Sequence, residues 1–303
     1  VRRAPYAAVG FAVVSVSFSS IFILWSASPP VTIALYRLAI ASAILAPVAA
    51  FHPSQPLRGV TRRDAGLMVL VGLVLAAHFG LWITSLRMTS VASSTILVTS
   101  HPLLVGLVSH FGLGERLAPR ASAGIVLGFV GVVGLALVDS SVSGETLSGD
   151  ALAFLGGVMA GAYFLLGRRL RQRVRLLGYA LVVYASAALF LLLFAVAVGE
   201  DLAPPGDVPR EFGLFLAMAL VPQIGGHTMY NWALRWVGAP LVSLSLVGEP
   251  IGSSLLAWAL LGQVPANAGA VALAGVLALV GIYLAGSAEG PRGRIAGAPR
   301  DAG

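Results

Sequence analysis

Apolar runs of about twenty residues follow one another along this chain with almost nothing between them, and that is the length a helix needs to cross a hydrocarbon core of roughly 30 Å. The runs lie near 6–27, 30–51, 64–86, 90–111, 120–138, 151–168, 176–199, 211–234, 238–261 and 266–286. Lipid offers no hydrogen bonds to an exposed backbone, so each run is expected to be a helix. The longest breaks, 139–150 and 200–210, leave no room for a soluble domain. Charged residues make up 10% of the chain, against roughly 25% in a soluble domain. There is no cysteine, which excludes disulfides, thiol chemistry and cysteine metal sites. The first run passes into the second through Ser28-Pro29-Pro30 without a separate cleavage region, so it is expected to be retained. The segment 287–303, rich in Gly, Pro and Arg, reads as a disordered tail.

A net charge of +7 would admit nucleic acid as a partner, but all 19 basic residues are arginines and most sit in the breaks between runs. Taken alternately, the breaks and termini on one side hold sixteen arginines, whereas the other side holds only Arg87 and Arg210. That second side instead carries Asp139, Glu145, Asp150, Glu200, Asp201, Asp207 and Glu211. The asymmetry expected of cytoplasmic loops places both termini in the cytoplasm of a bacterial inner membrane, with lipid and not nucleic acid as the surroundings.

The frame Leu86-Arg87, Pro102, Leu107, Leu113-Gly114-Glu115 returns 148 residues later as Leu234-Arg235, Pro250, Leu255, Leu261-Gly262-Gln263. Five crossings in each half is an odd number, so the second half must run inverted relative to the first. The expected fold is all-α and integral to the membrane, with ten transmembrane helices forming two inverted five-helix repeats, 1–138 and 139–286, around a central cavity.

Ionisable residues inside a bilayer cost about 2.5 to 3.5 kcal/mol or more and need a reason to be there. In the interiors of the runs they are Arg37, His78, His101, His227 and Glu249. Glu249 is the acid at the midplane, and His101 is its counterpart in the other half; each immediately precedes a proline. A proline frees the carbonyl four residues earlier and bends the helix, which is tolerated against protein or a wet cavity. Either both residues line a substrate path, or they are neutral groups cementing helix packing. His78 and His227 are near-equivalents, each with a partner one turn on, Trp82 and Asn231. With Tyr163 and Tyr230 they suit a ligand with a flat apolar part and a polar end. Trp232 and Trp236 read as interfacial anchors. Trp258, two turns beyond Glu249, is placed on nearly the same helix face, where it either closes the cavity or joins the interfacial belt. Arg37 fits snorkelling, a fixed partner or an anion site equally. Ser15, Ser17, Ser19 and Ser20 of the first run allow close packing or cavity lining, and Gly124, Gly128, Gly131 and Gly134 read as close helix contact.

The stretch from Pro102 through Leu113-Gly114-Glu115-Arg116-Leu117 to Gly124, Gly128, Gly131 and Gly134 resembles the half-repeat of the drug/metabolite transporter superfamily, EamA type. Glu249-Pro250, Leu261-Gly262-Gln263, Gly275 and Gly281 resemble it again. Pro30 and Arg37 in the second run, and Gly149-Asp150 and Ala162-Tyr163 in the sixth, are similar as well. Gln263 departs from the glutamate usual there, so Glu115 is read as structural. The aromatic and histidine side chains look most like those of the aromatic amino-acid exporters. The resemblance implies a basket of ten helices, a cavity built from the first, third, fourth, sixth, eighth and ninth, and outward movement of amino acids.

The chain has no HExxH, Walker or Gly-rich phosphate motif, so no enzyme activity, metal or cofactor is expected. The expectation is a secondary transporter of amino acids, aromatic ones preferred, or related metabolites, working as a monomer or homodimer. The alternative is a proton-coupled exporter of another metabolite or drug cation using Glu249. The substrate-contacting residues expected are His78, Trp82, His101, Tyr163, His227, Tyr230, Asn231, Glu249 and Trp258.

Overall fold

The computed structural model describes residues 4–53, 57–103, 118–140, 142–233 and 245–287. The first apolar run forms α1 (Ala4–Ser17) and α2 (Ser19–Trp25), the second α3 (Pro30–Phe51), the third α4 (Arg62–Ser85), and the fifth α6 (Pro119–Ser140). The fourth begins with α5 (Val91–Val98). In the second half, α7 (Gly144–Arg171) and α8 (Leu176–Val198) precede α9 (Val208–Met218), which continues through a π-helical segment, Ala219–Thr228, into α10 (Met229–Ala233). The last two elements are α11 (Gly248–Leu261) and α12 (Ala268–Ser287). Eight of the ten runs contain a described helix long and apolar enough to span. The fourth and ninth pass through 104–117 and 234–244, which lie outside the described residues, as do Glu115, Arg235, Trp236 and the tail after Ser287.

Helix boundaries follow side chains that satisfy orphan backbone groups. Thr61 accepts from the Asp64 amide and in turn donates to the Asp64 carboxylate, a capping pair that starts α4. Ser90, Ser143 and Asp207 cap α5, α7 and α9 in the same way. Gly199 and Gly262 close α8 and α11 at φ 70° and 62°, the left-handed conformation a side chain disfavours.

Hydrogen bonds between distant breaks sort the helix ends into two faces. Glu211, at the start of α9, accepts from the Ala27 amide at 2.9 Å and from Ser28 Oγ at 2.7 Å, and it also holds Ser26. Arg87, after α4, donates to Ser26 O at 2.6 Å. Thr89 donates to Asp150 at 2.8 Å, and Gln263 accepts from the Val91 amide at 2.9 Å. These contacts bring the alternate breaks after the first, third, fifth, seventh and ninth runs onto one face, which is the acidic one. On the arginine-rich face, Arg173 pairs with Asp64 at 3.0 Å and joins the start of α4 to the end of α7.

Packing follows the two-fold symmetry of the repeat. The first run lies against the eighth as the sixth lies against the third, and against the ninth as the sixth lies against the fourth. The second and seventh, the fourth and ninth, and the fifth and tenth pair with their own counterparts. The fold is therefore all-α and integral to the membrane, two inverted five-helix repeats. Lipid tails are as apolar as leucine, so helix pairing in a membrane depends on close packing. α6 and α12 meet backbone to backbone: a Cβ on Gly131 would stand 2.2 Å from Ala278 N, one on Gly124 2.4 Å from Ala285 N, and one on Gly281 2.2 Å from Gly128 N. Gly134 is the exception, with Ala274 Cβ at an ordinary 3.7 Å.

Candidate functional site

The prolines after His101 and Glu249 do what their chemistry predicts. The helical path turns at Thr99-Ser100 and at Leu246-Val247, positions that correspond between the halves to within one residue. Pro102 and Pro250 leave the carbonyls of Val98 and Leu246 without their α-helical donors. The first accepts from His101 Nδ1 at 3.3 Å and the second from the Glu249 amide at 3.1 Å. Both ionisable side chains are thereby anchored at a break, beside the same space.

That space is a cavity of about 30 Å³ lined by Val16, His78, Trp82, Val98, Thr99, His101, Ala160, Tyr163, Phe164, His227, Tyr230, Leu246 and Glu249. Seven of the nine residues expected to contact substrate stand on its wall. The volume holds on the order of two waters. The aromatic wall is continuous. His78 stacks on Trp82 at 6.0 Å between centroids, and Phe164 stacks on His101 at 5.5 Å. His78 and His227, counterparts in the two halves, face each other at 6.4 Å.

The wall is also short of partners for its polar atoms. His78 Nδ1 donates to Gly156 O at 2.9 Å, and His101 Nδ1 donates to Val98 O, so the Nε2 of each neutral ring is an acceptor. Trp82 Nε1, His101 Nε2 and His227 Nδ1 are buried without a hydrogen-bond partner among the described residues. Glu249 is 8% exposed and stands on the same wall. Native interiors rarely leave such groups unpaired. Here they converge from both halves on one cavity.

Two of the expected residues stand elsewhere. Asn231 lies behind the wall: its amide donates to Tyr163 Oη at 2.6 Å and to His227 O at 2.7 Å, holding two wall residues in place. Trp258 is 64% exposed and does not reach the cavity. It is nine residues from Glu249, which at 3.6 residues per turn is half a turn around α11, on the opposite face.

Arg37 is the residue whose role spacing left open. It is fully buried, which removes snorkelling, and it donates from Nε to Gln223 at 2.8 Å and from Nη1 to Ser19 at 2.8 Å. Its guanidinium sits 4.3 Å above the Phe79 ring, and Phe79 in turn meets His227 at 5.3 Å. Nη2 has no partner among the described residues, so a guanidinium with an open donor there lies one layer from the cavity. The serines of the first run are packing and positioning groups. Ser15 and Ser17 bond back to carbonyls of their own helix, Ser253 donates to Ser17 O at 3.1 Å, and Ser19 holds Arg37. Trp232 is part-buried in the small cluster of α1 and α10. Val16, Val98, Thr99, Ala160, Phe164 and Leu246 complete the wall without a signal in their spacing; Phe164 is marked only by its neighbour Tyr163.

The profile of the EamA-like transporter family matches residues 5–137 and again 147–287, once for each half. The chain belongs to the EamA-like transporter family. It is a multi-pass membrane transporter of the drug/metabolite type. Among solved structures similar to this EamA-like transporter, one crystal structure aligns over 94% of this chain and 98% of its own at 24% identity and a TM-score of 0.63, a likeness of fold. No curated protein matches the chain.

Proposed function

We propose that this EamA-like transporter exports amino acids, aromatic ones preferred, across a bacterial inner membrane by alternating access, with both termini in the cytoplasm. The observation that supports the reading is the convergence of a buried carboxyl, imidazole and indole nitrogens without a partner among the described residues, and an aromatic wall on one cavity shared by the two halves. Glu249 and the Nε2 atoms of His78 and His101 are acceptors for an ammonium group, while Trp82, Tyr163, Phe164 and Tyr230 offer surface to a flat side chain. Arg37, held by Gln223 and Ser19, supplies the positive field for a carboxylate. The acidic face is latched by Glu211 and Arg87 on the 26–28 turn, and opening that latch completes the outward half of the cycle. The test is uptake into proteoliposomes of a radiolabelled amino-acid panel; phenylalanine flux above that of empty liposomes is expected, and flux equal to theirs ends the substrate assignment.

A second reading rests on Glu249 alone, as the carrier of a coupling proton for another metabolite or drug cation. It is favoured if flux of such a cation follows an imposed pH gradient while amino acids do not move.

A further inference from the structure

A second cavity is larger than the central one. It has a volume of about 200 Å³ and lies on the arginine-rich face, between the start of α4 and the end of α7. Arg63, Arg169 and Arg173 form its polar side, and Leu67, Val71 and Leu166 its apolar side. Arg173 is neutralised by Asp64 at 3.0 Å. Arg63 and Arg169 pair with no carboxylate among the described residues, so two guanidinium groups without a described counter-charge stand beside an aliphatic wall. Elsewhere on the same two helices Val69, Leu70 and Leu165 are 40%, 45% and 41% exposed, an outward apolar surface. In a membrane this surface faces acyl chains.

We propose that this pocket binds an anionic phospholipid, with the phosphodiester between Arg63 and Arg169 and the upper acyl chain along Leu67, Val71 and Leu166. A soluble anion would use the arginines and leave the aliphatic wall unfilled, whereas a lipid uses both, and basic pockets between transmembrane helices suit anionic headgroups. The site is separate from the central cavity and does not depend on what the transporter carries. Because it bridges α4 and α7, which belong to different halves, the occupant touches both bodies that must move.

The full-length protein in detergent is titrated with phosphatidylglycerol, with phosphatidylcholine of the same acyl chains, and with glycerol phosphate, and bound molecules are counted by native mass spectrometry. Retention of phosphatidylglycerol at least tenfold above phosphatidylcholine is expected. Arg63→Gln with Arg169→Gln, which leaves the Arg173–Asp64 pair intact, is expected to lower it on the order of tenfold or more. Leu67→Trp, which fills the apolar side and keeps every charge, is expected to lower it as well. Equal retention of the two lipids by the unaltered protein overturns the proposal without reference to any variant. So does displacement by glycerol phosphate, which would make the pocket a soluble-anion site, or a Leu67→Trp protein that holds phosphatidylglycerol unchanged, which would reduce it to surface attraction.

Discussion

Glu249 sits at a proline break, 8% exposed, beside three unpartnered ring nitrogens on the same cavity wall. A carboxyl in that position either carries a proton or meets a cation, and Glu249→Gln separates the two because it keeps shape and removes charge. Under the proton-coupled reading, counterflow exchange persists in Glu249→Gln while flux driven by a pH gradient falls to background. Under facilitated export, the unaltered protein is itself indifferent to the gradient and the variant loses affinity. Asn231 is different in kind, since its contact with any substrate runs through Tyr163 and His227. Asn231→Ala removes two buried donors, and a cost of about 1 kcal/mol for each bond is expected. It should appear as a lower unfolding temperature and weaker substrate affinity with the pH response unchanged, whereas Tyr163→Phe should reproduce the affinity loss with less destabilisation.

At the scale of elements, the pairing of α6 with α12 depends on glycines that cannot carry a side chain. Gly131→Leu forces a Cβ into 2.2 Å of Ala278 N, and a loss of about 1 to 3 kcal/mol or more is expected. Gly134→Leu, at a position with room of 3.7 Å to the nearest atom, is the milder control. Thermal unfolding in detergent should rank Gly131→Leu well below Gly134→Leu; equal melting would show that the two helices do not pack as closely as described. The eighth run illustrates what local chemistry can announce and what it cannot. Pro222, Gln223, Gly225 and Gly226 mark it as breakable, and the break takes the form of a π-helical segment over Ala219–Thr228. Such segments recur at functional sites and change the rotational phase of everything after them.

For the whole molecule, the proposed export cycle gives the hydrogen bonds on the acidic face the role of a latch that seals one side of the cavity. Glu211 holds Ser26, Ala27 and Ser28, and Arg87 adds a bond to the same turn. Burial lowers the Arg87 pKa from its ordinary value and Glu211 opposes that shift, which couples the two charges electrostatically. Hydrogen bonds to a charged group contribute about 1.5 to 3 kcal/mol each, so Glu211→Gln is expected to shift the equilibrium toward the open outer side by on the order of tenfold or more. The chain has no cysteine, so a single Thr99→Cys on the cavity wall reports access directly. Labelling by an impermeant thiol reagent from the acidic face should accelerate when Glu211→Gln is added, and an unchanged rate would remove the latch from the cycle.

The number of crossings, their alternation and the inverted repeat were legible in the sequence because transfer from water to lipid is a sum over residues. A run of twenty apolar residues and an arginine count need no knowledge of neighbours. The mismatch of His101 with Glu249 was legible for the same reason, being a difference at one repeat position. The other mismatch, Gln263, resolves into an N-terminal cap on α5, while Glu115 lies outside the described residues. Which polar side chains meet was decided by tertiary structure. Asn231 turns toward Tyr163, Trp258 points away from the cavity, and Arg37 finds Gln223 and Ser19 rather than the surface. The physical reason is angular: each helical residue turns the chain by about 100°, so breaks at Thr99-Ser100 and Leu246-Val247 and a π-helical segment redirect every side chain beyond them, and only packing against the other half settles where those side chains point.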